Sequence, residues 1–246
     1  MKPLNDKVAI VTGASGGIGG AIAERLGKEG ATVIVNYAHS ADDAEEVVAK
    51  IEQADGKAIA IQADMTNTDA VHRLFQEVSD RCGSLDILIN NAGVAVRGKI
   101  AEVTEADYEK IFSVNVKGVL FGLQAATQHM RDGGRIVTVS SSVTVYPSPG
   151  LAVYAASKAA ARMFTEVLAK EIGDRGITVN SVMPGPTIPG MFDNADEETR
   201  QHAASLSPFN RLGTPQDIAD VVAFLVSAEA RWITGQHILA NGGATL

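Results

Sequence analysis

The chain has 246 residues, 46% of them hydrophobic and 20% charged, which is the balance of a globular chain with a sizeable core. Its net charge of −8 argues against a nucleic-acid partner, since phosphate would be repelled and no basic run offsets this. One cysteine, Cys82, excludes an intrachain disulfide and suits a reducing compartment, and no run reaches the roughly 18 apolar residues of a membrane span.

From the N-terminus, Asp6 and Lys7 precede a short apolar run, Val8 to Val11, which reads as a strand and not as a signal peptide; the cytoplasm is the expected location. Glycine-rich residues follow, then a helical stretch from Ile18 to Lys28. Thr32 to Val35 reads as a second strand, Ala41 to Gln53 as helix, Lys57 to Gln62 as strand and Thr68 to Asp80 as helix. Leu85 to Ile89, apolar but for Asp86, reads as a strand buried on both faces. Thr104 and Asp107 form a capping box that opens a long helix, Glu105 to His129. Arg135 to Ser140 is a fifth strand, Val153 to Ile172 a long helix and Ile177 to Val182 a sixth strand. Thr214 caps a helix with Pro215 at its first position, running to about Ser227, and Gln236 to Leu239 is a short seventh strand.

Strands alternating with helices predict right-handed crossovers and a parallel sheet covered on both faces. The expected fold is α/β: a single doubly wound Rossmann domain over residues 1–246, with no linker and no repeat. Ligands of such sheets bind beyond the carboxyl ends of the strands, so the residues just after each strand carry the chemistry.

The first strand leads into Thr12-Gly13-Ala14-Ser15-Gly16-Gly17-Ile18-Gly19. Glycines let backbone N–H groups approach a pyrophosphate at a helix N-terminus. Thr12, Gly13, Ser15, Gly17, Ile18 and Gly19 are therefore candidate cofactor contacts, although a Gly-rich turn alone is weak evidence. The loop lacks the Lys-Ser/Thr of a nucleotide-triphosphatase P-loop. The second strand runs out through Asn36, Tyr37, Ala38, His39 and Ser40 with no carboxylate before Asp42. An acidic residue there would bond ribose hydroxyls and repel a 2′-phosphate. Asn36, Tyr37 and Ser40 are accordingly candidate contacts, and NADP(H) is the preferred cofactor with NAD(H) left open.

Tyr154 and Lys158 stand four apart on a predicted helix, hence on one face. A cation within a few Å of a phenol favours the phenolate and moves its pKa toward the working range. Ser141, after the fifth strand, is placed to hold a substrate oxygen. Asn91, Ala92 and Gly93 follow the fourth strand, where small residues admit a cofactor. Asn115 sits mid-helix, where Asn is a poor helix former; it is expected either to bond backbone or to kink the helix and hold a water linked to Lys158.

In this set of motifs, TGxxxGxG, NNAG, Asn115, Ser141, YxxxK and a later Pro-Gly in that order, the chain resembles the short-chain dehydrogenases/reductases over essentially its whole length. The resemblance implies Asp64 at the adenine, Asn91 near a ribose, Lys158 on the nicotinamide ribose, and Pro184 and Gly185 before the carboxamide site. It implies the catalytic tetrad Asn115, Ser141, Tyr154 and Lys158, with Tyr154 also touching the cofactor. One departure is Pro189 where the family often has Thr, with Thr187 the nearby substitute. The family usually forms homotetramers through its two long helices.

The expected reaction is direct hydride transfer to a ketone, with Ser141 polarising the oxygen and Tyr154 protonating it. A lid is expected over about 188–208, with Met191 and Phe192 facing Val143 and Tyr146 across a hydrophobic substrate site. The chain is also similar to bacterial 3-oxoacyl-thioester reductases, and Arg131 and Arg175 match basic positions for the acyl-thioester carrier in those enzymes. A sugar or steroid alcohol dehydrogenase and a non-catalytic nucleotide sensor are the remaining alternatives. The five His show no metal-ligand spacing, so no metal is expected.

Overall fold

A computed structural model describes residues 2–193 and 195–244. Seven strands, β1 (Val8–Val11), β2 (Thr32–Tyr37), β3 (Lys57–Gln62), β4 (Leu85–Asn90), β5 (Met130–Val139), β6 (Thr178–Pro184) and β7 (His237–Ala240), form one sheet in the order β3-β2-β1-β4-β5-β6-β7. All six pairings are parallel. The chain builds outward from β1 to β3, then returns to place β4 on the other side of β1. The crevice above the β1/β4 boundary is thus the topological switch point, where ligands of doubly wound sheets bind.

The alternating direction of strand side chains divides the core into two layers. Ala9 and Val11 of β1 face the layer with α1 (Gly17–Lys28), α2 (Ala41–Gln53) and α8 (Pro215–Val226), where Ile22, Leu26, Val47, Ile51 and Val222 are buried. Val8 and Ile10 face the other layer, with α3 (Thr68–Cys82), α5 (Val119–His129) and α6 (Ala152–Glu171), packed through Leu74, Phe75, Leu123, Leu168 and Ile172. No described helix is long and apolar enough to cross a membrane.

Three local features depart from the sequence-based expectation. The long helix expected from Glu105 to His129 is divided into α4 (Glu105–Phe112), a π turn over Ser113–Gly118 and α5. The wide turn accompanies two constraints: Asn115 is drawn to the backbone of Val94, and Gly118 lies so close to Met65 that a Cβ would come within 2.9 Å of its carbonyl oxygen. Second, β5 starts at Met130 and not Arg135, because Met130 pairs with Leu85 before the register shifts ahead of Ile87. The intervening Arg131–Gly134 stretch is turn-like in composition, with Gly133 at φ 75°. Third, the expected lid contains a helix, α7 (Glu197–Ser205), whose N-cap Asp196 accepts from the Thr199 N–H at 2.8 Å.

Candidate active site

The loop after β1 is braced from both neighbouring strands. Thr12 Oγ1 accepts from the N–H groups of Asn91 and Ala92, both at 3.0 Å, and donates to the Ile89 carbonyl at 3.3 Å. Asn91 Nδ2 donates to the carbonyls of Thr12 and Gly13, both at 2.9 Å. From the other side, Asn36 Oδ1 accepts from Gly13 N–H at 3.2 Å while its Nδ2 donates to Ile61 and Ala63 carbonyls. The side chains of Asn36 and Asn91 are thus directed into the protein, where they set the shape of the loop.

The loop glycines divide by what surrounds them. A Cβ on Gly19 would lie 2.4 Å from both Asn91 Nδ2 and the Gly13 carbonyl, and Gly13 has φ 61° with Ala92 Cα only 2.9 Å from its would-be Cβ. These two let loop, helix and β4 close together. Gly17, at φ 54°, has no atom within 4 Å of a would-be Cβ, so space opens above the first turn of α1. That helix has no side-chain cap and no acidic residue in its first turn. Its free N–H groups and positive dipole end fit an anion, and a dinucleotide pyrophosphate fits both the charge and the opening. Ser15 and Ile18 border it in sequence and are half-buried.

Beyond the end of β2, Tyr37 is half-buried, while His39 and Ser40 are exposed; Ser40 precedes α2 without capping it through its side chain. Asp64 is half-buried and accepts from Thr66 N–H at 2.8 Å. At the far side, Pro184 ends β6, and Gly185 faces Asn241 so closely that a Cβ would lie 2.8 Å from Asn241 Cβ. Thr187 is buried and its hydroxyl donates to the Gly185 carbonyl at 2.9 Å, so it tightens this loop.

The four residues of the expected tetrad lie between β4, the π turn, β5 and α6. Lys158 is 3% exposed, and its Nζ donates to the Val139 carbonyl at 2.8 Å and lies 5.9 Å from the centre of the Tyr154 ring. Burial drives the Lys158 pKa down from 10.5 to about 8. Burial also pushes the Tyr154 phenol up, opposed by a hydrogen bond with the Ser141 side chain. The net direction for Tyr154 is upward, with desolvation the larger cause. A protonated phenol is the form that donates to a developing alkoxide.

Asn115 is fully buried. Its Oδ1 accepts from Val94 N–H at 2.8 Å, and its Nδ2 donates to the Val94 carbonyl at 2.9 Å and to Ser157 Oγ at 3.0 Å. Ser157 Oγ in turn donates to the Tyr154 carbonyl at 2.7 Å. Gly93 lies between the groups: its would-be Cβ is 3.0 Å from Lys158 Nζ and 3.3 Å from Asn115 Oδ1. The backbone bonding expected of Asn115 is present, and the residue sits in the π turn, a distortion frequent at functional sites.

The flanking residues are less enclosed. Val143 and Phe192 are half-buried, and Tyr146 and Met191 exposed. A small cavity lies elsewhere, lined by Val96, Arg97, Gly98, Val103, Gly150 and Val153 among others, and none of those six stood out in the sequence. The detectable signal was two glycines outside regular elements, Gly98 and Gly150, whose backbones bond at 3.0 Å. Ser157 and Ser140, whose hydroxyl donates to the Lys158 carbonyl at 3.1 Å, were also missed. Arg175 is taken up by Asp132 and by the carbonyls of Thr127 and Met130 at the end of α5, while Arg131 is exposed.

A family model described as enoyl-(acyl carrier protein) reductase matches residues 13–245. An oxidoreductase of Methylorubrum extorquens is 47% identical over 99% of both chains. A versicolorin reductase of Emericella nidulans is 44% identical over 98% of this chain and 96% of its own. Among solved structures, the angucycline C-6 ketoreductase LanV with bound NADP superposes with a TM-score of 0.93 at 44% identity, covering 98% of this chain and 96% of its own. A short-chain dehydrogenase of Burkholderia cenocepacia in complex with NADP gives 0.92 at 42% identity, covering 98% and 99%. With the sheet order, the loop after β1 and the convergence of Asn115, Ser141, Tyr154 and Lys158, these likenesses show that the chain belongs to the short-chain dehydrogenase/reductase family of NAD(P)-dependent oxidoreductases.

Proposed function

We propose that the chain reduces a ketone to a secondary alcohol with NADPH, using Tyr154 as the general acid. The observation that carries the reading is the buried Lys158, whose Nζ lies 5.9 Å from the centre of the Tyr154 ring and is anchored on the Val139 carbonyl, two residues before the buried Ser141. Bound NADPH supplies the hydride. Ser141 orients the substrate oxygen and donates to it as negative charge grows. Tyr154 passes its proton to that oxygen, and Lys158 stabilises the phenolate left behind. Asn115 fixes the loop after β4 and, through Ser157, the start of α6, holding the tetrad in register.

The NADP preference rests on the absence of a carboxylate from Asn36 to Ala41 and on the NADP complexes of two similar proteins. The uncapped start of α1 would hold the pyrophosphate, and Ser40 would meet the 2′-phosphate. Two similar proteins are named for versicolorin and for an angucycline ketone, which favours a largely hydrophobic ketone over a carrier-borne acyl thioester. The engagement of Arg175 at the end of α5 points the same way. Residues about 188–208, including α7, would form the lid, and α5 and α6, with exposed Leu120, Met163 and Val167, would carry the tetramer contacts.

The test follows NADPH and NADH oxidation against an angucycline ketone, simple ketones, a β-ketoester, a sugar and an acyl thioester. Tyr154→Phe should keep NADPH affinity and lose about 10²–10⁴-fold in kcat. Undiminished turnover in that variant refutes the assignment.

A further inference from the structure

Tyr154 and Lys158 begin a stripe along α6 that continues at the same spacing through Arg162. The Arg162 guanidinium is half-buried and points back at the end of β5, where its Nη1 donates to Thr144 Oγ1 at 3.0 Å. This is the only side-chain hydrogen bond of Arg162 among the described residues, and its buried Nε has no partner. An arginine has donors only, so it must use the Thr144 oxygen as acceptor and leave the hydroxyl proton to point elsewhere. That proton is directed at the Ser141 carbonyl, 2.8 Å away, with the weakly accepting Met183 Sδ at 3.4 Å.

We propose that Arg162 is a positioning residue for catalysis: acting through the Thr144 hydroxyl, it locks the Ser141 peptide and so aims the Ser141 side chain at Tyr154. The Ser141 backbone is extended, at φ −164° and ψ 149°, in a segment where only the short turn over Ser142–Thr144 follows. Two other contacts already tie this strand end to α6, from Lys158 Nζ to the Val139 carbonyl and from Ser140 Oγ to the Lys158 carbonyl. The turn itself holds Ser141 through the Thr144 N–H on its carbonyl at 3.2 Å and the Val143 N–H on its Oγ at 3.4 Å, and the Arg162–Thr144 link braces that turn from α6. A catalytic hydrogen bond misplaced by about 1 Å loses up to about 10²-fold in rate, so a brace at this point has a measurable effect.

The proposal rests on the ketone-reductase reading for its kinetic arm only. Arg162→Met and Thr144→Val should each lower kcat about 10-fold with the NADPH dissociation constant unchanged, and Thr144→Ser, which keeps the hydroxyl, should retain wild-type kcat. In a Ser141→Ala background, Arg162→Met should bring no further loss, since the group it aims is gone. A second arm needs no turnover: the Tyr154 phenol is titrated by ultraviolet difference against Tyr154→Phe. Loosening the Ser141 hydrogen bond should raise its pKa by about 0.5 unit in Thr144→Val, which changes no charge, and leave it in place in Thr144→Ser. An unmoved phenol pKa in Thr144→Val overturns the proposal, as does an equal loss from Arg162→Met with and without Ser141. Absence of turnover with every ketone would refute the ketone-reductase reading while the titration still decides this one.

Discussion

Lys158 is the group on which function and stability oppose one another most directly. Its pKa falls from 10.5 to about 8 on burial, so the folded protein holds a charge it would rather release. At about 1.36 kcal/mol per unit, keeping that ammonium charged in the apo protein at neutral pH costs about 3 kcal/mol. Its hydrogen bond to the Val139 carbonyl, at 2.8 Å, returns about 1 kcal/mol. Lys158→Met preserves the aliphatic stem and removes the charge, so the apo variant should be about 2 kcal/mol more stable at neutral pH. In a domain of this size that is a rise of roughly 4–8 °C in Tm.

The sign with pH follows from proton counting. Between about pH 8 and 10.5 the unfolded chain still binds the Lys158 proton while the folded chain has lost it, so wild-type stability gains from this group as pH rises through that window. The advantage of Lys158→Met should therefore shrink as pH rises from about 8, cross zero before pH 10.5 and give way to a deficit of about 1 kcal/mol, the lost hydrogen bond to the Val139 carbonyl. Parallel thermal and urea melts of both proteins, without cofactor, across that range measure it. A variant less stable than wild type at neutral pH, or a difference that does not change with pH, would refute the reasoning.

Gly19→Ala should weaken NADPH binding by at least 10-fold and lower Tm, because its methyl would lie 2.4 Å from Asn91 Nδ2 and overpacking of this kind costs about 1–3 kcal/mol; isothermal titration and a melt measure the two effects. Asp217 accepts from Arg211 and from its own helix cap, Thr214, and the Arg211 guanidinium with these bonds holds its carboxyl far below the usual range. Its contribution is present above the unfolded pKa of about 3.9 and is lost as pH falls below it. Asp217→Asn should thus lower Tm at neutral pH and flatten the acid limb of a Tm-against-pH curve. Thr214→Ala, which removes the cap to Asp217 N–H, should cost about 1 kcal/mol in a denaturant melt.

The α/β alternation was legible because strands buried on both faces leave short continuous apolar runs, such as Ile87–Ile89 and Val8–Val11, that no amphipathic helix imitates. Caps were legible where side chain and backbone lie three residues apart: the Thr104–Asp107 and Thr214–Asp217 boxes stand where the spacing put them. The same rule applied to Asp196 would have found α7, which was passed over inside a segment read only as a lid. The start of β5 was not accessible this way, since Met130 is a strand residue only by virtue of its partner Leu85.

The sequence by itself determined the order of strands and helices, the glycine loop, and the identity of Asn115, Ser141, Tyr154 and Lys158, because spacing along a chain encodes local geometry and side-chain chemistry. Tertiary structure decided what each of those groups experiences. Whether Asn36 and Asn91 face a ligand or the protein depends on contacts 23 to 79 residues away in sequence. The spacing of Tyr154 and Lys158 says nothing of how deeply each is buried, and it is burial that pushes the phenol up and the lysine down to about 8. The π turn at Asn115 and the Arg162–Thr144–Ser141 chain belong to the same class, being products of packing between elements that no local pattern contains.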